Sequence, residues 1–202
     1  MRKNYNSHMN EKTLKIEATK NSGPCGEFKG KVCFYFVFVS TPMHRWNKKK
    51  INRFFSAYYE ARDAILEEAK RYDVPLSIES GYFNFKIWKR YHLNDEWLRY
   101  LLKKKFKQNE ASLCELYHTY AKEYHYDSTP FVFVFNFKGQ AYTQQSIGGP
   151  DSYCGEKVVL FSTGNIDYDA YTIFHEILHL YGAIDFYYPE SIRIGQTHQN
   201  NF

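Results

Sequence analysis

The chain has 202 residues, the length of one ordinary domain, and 44% of them are hydrophobic, which is enough to form a core. Aromatic residues make up 19%, which excludes an intrinsically disordered chain. The net charge of +5 and the pI of 8.8 are mildly basic, short of the pI above ~9 that is typical of a nucleic-acid-binding domain. No stretch approaches the ~20 consecutive apolar residues of a membrane span.

The first 30 residues are polar and contain a turn cluster at 22–26, which predicts a flexible lead-in. We expect a single domain at 31–202. The N-terminus is basic but no apolar segment follows it, so no cleaved signal peptide is predicted. We therefore expect a cytoplasmic protein, or one exported without a cleavable signal. Four cysteines at wide spacings favour reduced thiols over a disulfide framework.

Apolar patterns predict the first elements. The run Cys33–Val39 is apolar on both faces, as in a central strand. Apolar residues between 47 and 72 recur at spacings of three, four and seven, which predicts one long helix. Its apolar face is predicted to contain Ile51, Phe55, Tyr58, Ile65, Ala69 and Tyr72. A second strand is predicted within 76–87, broken at Gly81.

The remaining pattern predicts further strands and three more helices. Residues 89–127 are charged and carry helical spacing, which predicts a helical insertion. Strands are predicted at 131–137, 140–146 and 158–161, and the polar segment 140–146 suits an exposed edge. The fold class is therefore α/β (α+β), with a last helix packed against the sheet. Basic runs at 48–50 and 103–107 favour solvated helix ends over a phosphate-binding patch.

The strongest functional signal is an HExxH pattern at His175, Glu176 and His179. Asp167 or Asp169 can cap the start of a helix there, and its other residues supply an apolar face. The two histidines lie one helical turn apart, so they can bind one zinc ion together. Glu176 lies about a hundred degrees round the helix, where it can act as the general base on a zinc-bound water.

The pattern extends to Gly182 and Asp185. A glycine after the last helical turn can take the left-handed conformation that ends a helix. The chain would then return Asp185 beneath the metal as third ligand. Two histidines and one carboxylate leave the fourth zinc position for water, which is the arrangement of a catalytic site.

The motif HExxHxxGxxD at residues 175–185 resembles that of the metzincin clan of zinc peptidases, and within it the snapalysin type, which has aspartate as third ligand. The resemblance implies a mixed sheet with an antiparallel edge strand, a long backing helix and a zinc-binding active-site helix. It also implies hydrolysis of internal peptide bonds, with the substrate paired along the edge strand at 140–146. Metzincins carry a methionine in a turn after the third ligand, and here no obvious counterpart exists, because all three methionines precede the motif.

Other possibilities stay open from the sequence. Glu190 or His198 could replace Asp185 as third ligand. The domain could be a catalytically inactive, zinc-stabilised module that binds a peptide or protein, or a protease associated with nucleic acid. The favoured prediction is a zinc metalloendopeptidase with a peptide or protein substrate, and neither a membrane nor a nucleic-acid partner is expected. The sequence does not determine an oligomeric state, and a monomer is the expectation.

Overall fold

The computed structural model describes residues 25–88, 96–107, 113–144, 156–162 and 169–183. Within these ranges the chain forms a mixed α/β fold, which confirms the predicted fold class at that level. The elements in chain order are β1 (Gly30–Ser40), α1 (Lys48–Arg71), β2 (Leu76–Lys86), α2 (Glu96–Phe106), α3 (Leu113–Tyr124), β3 (Phe131–Phe135), β4 (Tyr142–Gln144), β5 (Lys157–Phe161) and α4 (Ala170–Leu180).

The five strands form one mixed sheet in the order β2-β1-β3-β5-β4. Neighbouring strands among β2, β1, β3 and β5 are parallel, whereas β4 runs antiparallel to β5 at the edge. The two-sided apolar sequence of β1 is explained by its place between β2 and β3. Strand β4 lies inside the segment predicted as an edge, of which residues 145 and 146 fall outside the described residues.

Side chains alternate between the two faces of the sheet along each strand, and helices cover both faces. On one face, Phe36 packs against Tyr58 of α1 with ring centroids 4.8 Å apart, and Phe174 of α4 stacks on Tyr58 at 5.9 Å. On the other face, Trp97 of α2 packs against Phe133 at 4.8 Å. The sheet is thus a middle layer whose inner strands β1, β3 and β5 are buried, with α4 beside α1 and next to β4 and β5.

Helix α1 matches its predicted range but not its whole predicted face. The Asn47 side chain caps its start by accepting the Lys50 N–H at 2.9 Å. The buried residues of the helix are Ile51, Phe54, Tyr58 and Ala61. Including Tyr72 in that face was wrong, because Tyr72 is the residue that ends the helix and its side chain is 71% exposed.

The predicted break at Gly81 was also wrong, since β2 runs without interruption from Leu76 to Lys86. Gly81 lies opposite Tyr35 of β1. A Cβ atom at Gly81 would come within 3.0 Å of Cε1 of the Tyr35 ring. That ring is held in place by Tyr120 at 4.8 Å and Phe131 at 5.6 Å. The glycine therefore makes room for a neighbouring side chain and does not end the strand.

Both helices predicted within 89–127 are present as α2 and α3. The end of the predicted lead-in packs against the domain: Cys25 is buried, and its backbone N–H donates to the Glu156 carboxylate at 3.0 Å. Residues 1–24 lie outside the described residues, so the division at residue 30 stays a prediction. No helix in the described part of the chain is long and apolar enough to cross a membrane.

Candidate metal centre

Helix α4 carries the HExxH residues and begins at the cap expected from the sequence. Asp169 Oδ1 accepts the Thr172 N–H at 2.6 Å, and Asp169 Oδ2 accepts the Thr172 hydroxyl at 3.0 Å. The side chain thus satisfies one of the amide groups that a helix leaves without a partner in its first turn. Of the two predicted capping residues, Asp169 is confirmed, and Asp167 lies outside the described residues.

The helix ends in a glycine turn, also as predicted. The Gly182 N–H donates to the His179 carbonyl at 3.1 Å, and the Ala183 N–H donates to the Leu178 carbonyl at 3.1 Å. This pair of bonds defines a Schellman motif, which requires a left-handed residue just after the helix. Gly182 takes that conformation with φ of +90°. The turn therefore fixes the direction in which the chain leaves the helix towards Asp185.

Tyr181, the residue before Gly182, attaches the turn to the rest of the domain. Its side chain is buried, its hydroxyl lies 3.1 Å from Ser128 Oγ, and its ring stacks on Phe28 at 4.5 Å. Burial raises the pKa of the Tyr181 phenol well above its ordinary value, so the group stays neutral. The C-terminal end of α4 is thereby anchored to the segments that precede β1 and β3.

The two histidine side chains converge. His175 Nε2 and His179 Nε2 are 3.3 Å apart, and both side chains are partly exposed. Two imidazole nitrogens that each lie 2.0–2.1 Å from one tetrahedral zinc ion are about 3.3–3.4 Å apart. The observed separation therefore fits a shared zinc ion without any movement of the helix.

The proton on His179 is placed by a backbone carbonyl. His179 Nδ1 lies 2.7 Å from the Ala183 carbonyl oxygen. A carbonyl oxygen can only accept, so Nδ1 carries the hydrogen, and in the neutral form of the ring the free lone pair is then on Nε2, the atom 3.3 Å from His175 Nε2. Metal-binding histidines usually donate their second N–H to such a group, which fixes the ring and the tautomer. The turn at Gly182 thus supplies the carbonyl partner of His179 Nδ1.

Glu176 lies on a different side of the helix from the histidines, as the helical step predicts. It is only 9% exposed. Thr143 Oγ1 of strand β4 lies 2.8 Å from Glu176 Oε2 and 2.6 Å from the Glu176 carbonyl oxygen. Nothing in the sequence distinguishes Thr143 beyond its place in the predicted edge segment 140–146.

The predicted third ligand Asp185 lies outside the described residues, as do the two alternatives to it, Glu190 and His198. In the part of the chain that is described, no group of three or more His, Cys, Asp or Glu side chains is placed to bind a metal ion. The structure thus brings together His175 and His179 and places Glu176 against Thr143, and the third ligand stays a prediction.

The two basic runs lie at helix ends and their lysines are exposed, in the first turn of α1 and the last turn of α2.

A scan against protein-family models, a search of curated proteins and a search of solved structures each found no match.

Proposed function

We propose that this protein is a zinc-dependent metallopeptidase that hydrolyses internal peptide bonds. The observation that carries the proposal is the 3.3 Å separation of His175 Nε2 and His179 Nε2, which equals the spacing of two ligands on one tetrahedral zinc ion. Asp185 is the proposed third ligand, because it follows the glycine turn by three residues. This ligand set leaves one zinc position for water or substrate.

A zinc ion at this site would act as a Lewis acid and lower the pKa of bound water. Glu176 is proposed to accept the proton of the attacking water and to pass it to the leaving amine. The support for that role is that Glu176 directly follows His175 in the helix and that its carboxylate is held by Thr143 of the edge strand β4. A carboxylate that does not bind the metal can exchange protons with a water that does.

The resemblance to metzincins adds a substrate orientation to this proposal. Its support is the antiparallel edge strand β4, which lies beside the helix that carries the histidines. An extended peptide can add to such an edge through main-chain hydrogen bonds, which would place a peptide bond next to the histidine pair. Proline at Tyr142 would remove a main-chain donor from this short edge strand. We expect Tyr142→Pro to lose cleavage and to retain zinc, and unchanged cleavage would contradict the substrate orientation.

The first test is the metal content of the purified protein by elemental analysis. We expect about one zinc per chain in the parent and a large loss in His175→Ala, His179→Ala and Asp185→Ala. His118→Ala is the matched control, because His118 is an exposed histidine on α3. Equal zinc in Asp185→Ala and in the parent would assign the third ligand elsewhere, and no zinc after reconstitution would overturn the proposal.

The second test is turnover on a peptide library, followed by mass spectrometry. We expect the parent to cut internal bonds, and Glu176→Ala to retain zinc while losing nearly all hydrolysis. Full activity in Glu176→Ala would refute the assigned role. Zinc and peptide binding without turnover in the parent would instead establish the alternative of an inactive, zinc-stabilised binding module.

A further inference from the structure

The contact between Thr143 and Glu176 joins two elements that are far apart in the sequence. Thr143 lies on β4, where it pairs with Val158 of β5, so its backbone position is set by the sheet. Glu176 lies on α4, and its carboxylate oxygen Oε2 is 2.8 Å from the Thr143 hydroxyl. The same hydroxyl lies 2.6 Å from the Glu176 carbonyl oxygen. Both distances are within the usual range of O–H···O hydrogen bonds.

Thr143 has one hydroxyl proton and faces two acceptors on Glu176, the backbone carbonyl and the carboxylate. Contact with the carbonyl alone would only attach the helix to the edge strand. Contact with Oε2 also restricts the side-chain torsions of Glu176, which are otherwise free to rotate. Among the described residues no second hydrogen bond to this carboxylate is found, so Thr143 is the group that holds it.

We propose that Thr143 is a positioning residue that orients the Glu176 carboxylate for proton transfer. This inference rests on the proposed function, in which Glu176 is the general base. One carboxylate oxygen is held by the hydroxyl, and the other is left to receive the proton of the attacking water. A fixed orientation matters because a displacement of about 1 Å in a reacting group can cost on the order of a hundredfold in rate.

The first experiment needs no activity and uses the protein as purified. Urea midpoints are measured for the parent, Thr143→Val, Glu176→Ala and the double variant. Valine has the shape of threonine without the hydroxyl. If the hydroxyl holds the carboxylate, Thr143→Val lowers the urea midpoint of the parent clearly more than it lowers that of Glu176→Ala. Valine removes the contact with the carbonyl of residue 176 in both backgrounds, but it removes a contact with the carboxylate only in the parent. Equal shifts in both backgrounds would overturn the proposal.

The second experiment uses a peptide that the parent cleaves. We expect Thr143→Val to lower kcat by about 10–100-fold with an unchanged zinc content and a KM within about twofold of the parent. Thr143→Ser retains the hydroxyl and should restore most of kcat. An unchanged kcat in Thr143→Val, or a serine variant as slow as the valine variant, would overturn the positioning role.

The two experiments separate this inference from the function on which it rests. If the parent binds zinc but cleaves no peptide, the proposed function fails, and with it any catalytic role of Thr143. The urea midpoints then still decide whether the hydroxyl holds the carboxylate. If the parent cleaves peptides and Thr143→Val cleaves them equally fast, the peptidase assignment stands and the positioning role of Thr143 is refuted.

Discussion

Replacement of Gly182 by alanine tests the link between the end of α4 and the metal centre. Gly182 has φ of +90° and donates its N–H to the His179 carbonyl. The next residue, Ala183, offers its carbonyl oxygen to His179 Nδ1 at 2.7 Å. A change in the conformation of residue 182 therefore displaces the group that fixes the His179 ring. We expect Gly182→Ala to reduce both stability and zinc affinity.

The magnitude follows from the backbone conformation. A left-handed conformation costs an L-residue with a side chain roughly 1–2 kcal/mol. Alanine also restricts the unfolded chain, which offsets about 0.4–1 kcal/mol of that cost. The net loss of about 1 kcal/mol lowers the Tm of a chain of this size by about 2–4 °C. Loss of an outer partner of a metal-binding histidine lowers metal affinity by about 10–100-fold.

The assay is thermal denaturation together with a zinc titration against a competing chelator. Gly26→Ala is the matched control, because Gly26 has φ of +61° and an added Cβ would meet no atom within 4 Å. We expect this control to lose a similar amount of stability and to retain zinc affinity. If Gly182→Ala binds zinc as tightly as the parent, the turn does not position His179. If the Tm of Gly182→Ala also equals that of the parent, the left-handed conformation of residue 182 has no cost for alanine.

Three further predictions concern stability. Asp169→Ala should lose about 1 kcal/mol because α4 loses its cap, and thermal scans should show Asp169→Asn close to the parent. Burial raises the pKa of Cys33 from 9.0 to about 11, so Cys33 in the folded protein should react slowly with a thiol reagent at pH 9. The stability from this neutral thiol is complete below pH 9 and is lost between about pH 9 and 11, where the urea midpoint of the parent should fall more steeply than that of Cys33→Ser. Gly81→Ala should lose about 1–3 kcal/mol because the Tyr35 ring must shift, and a midpoint equal to the parent's would show that the ring moves at no cost.

The parts of the site that the sequence predicts correctly are local. A capping aspartate acts on an amide three residues away, as Asp169 does on Thr172. The glycine turn is decided by bonds among residues 178–183. The histidine pair depends on one turn of one helix. Each of these features is complete within a few residues, so the pattern of residue types is sufficient to predict it.

The features that the sequence does not predict depend on contacts between distant segments. Gly81 resembles a strand break when it is considered alone, because nothing near it in the chain shows that Tyr35 occupies the adjacent space. Thr143 is an ordinary polar residue of an edge strand until the fold places Glu176 beside it. The strand order β2-β1-β3-β5-β4, which brings β4 next to α4, likewise cannot be derived from hydrophobic periodicity.

The local and distant features together explain how one short helix can present a metal site. Its helical geometry sets the separation of the two histidines, and the Ala183 carbonyl fixes the tautomer of His179. Little order would then have to be gained on binding of the proposed metal, because the two Nε2 atoms already lie 3.3 Å apart. Gly182 acts on His179 through the Ala183 carbonyl. Because this contact fixes the ring of a proposed ligand, Gly182→Ala should cost more in zinc affinity than in stability.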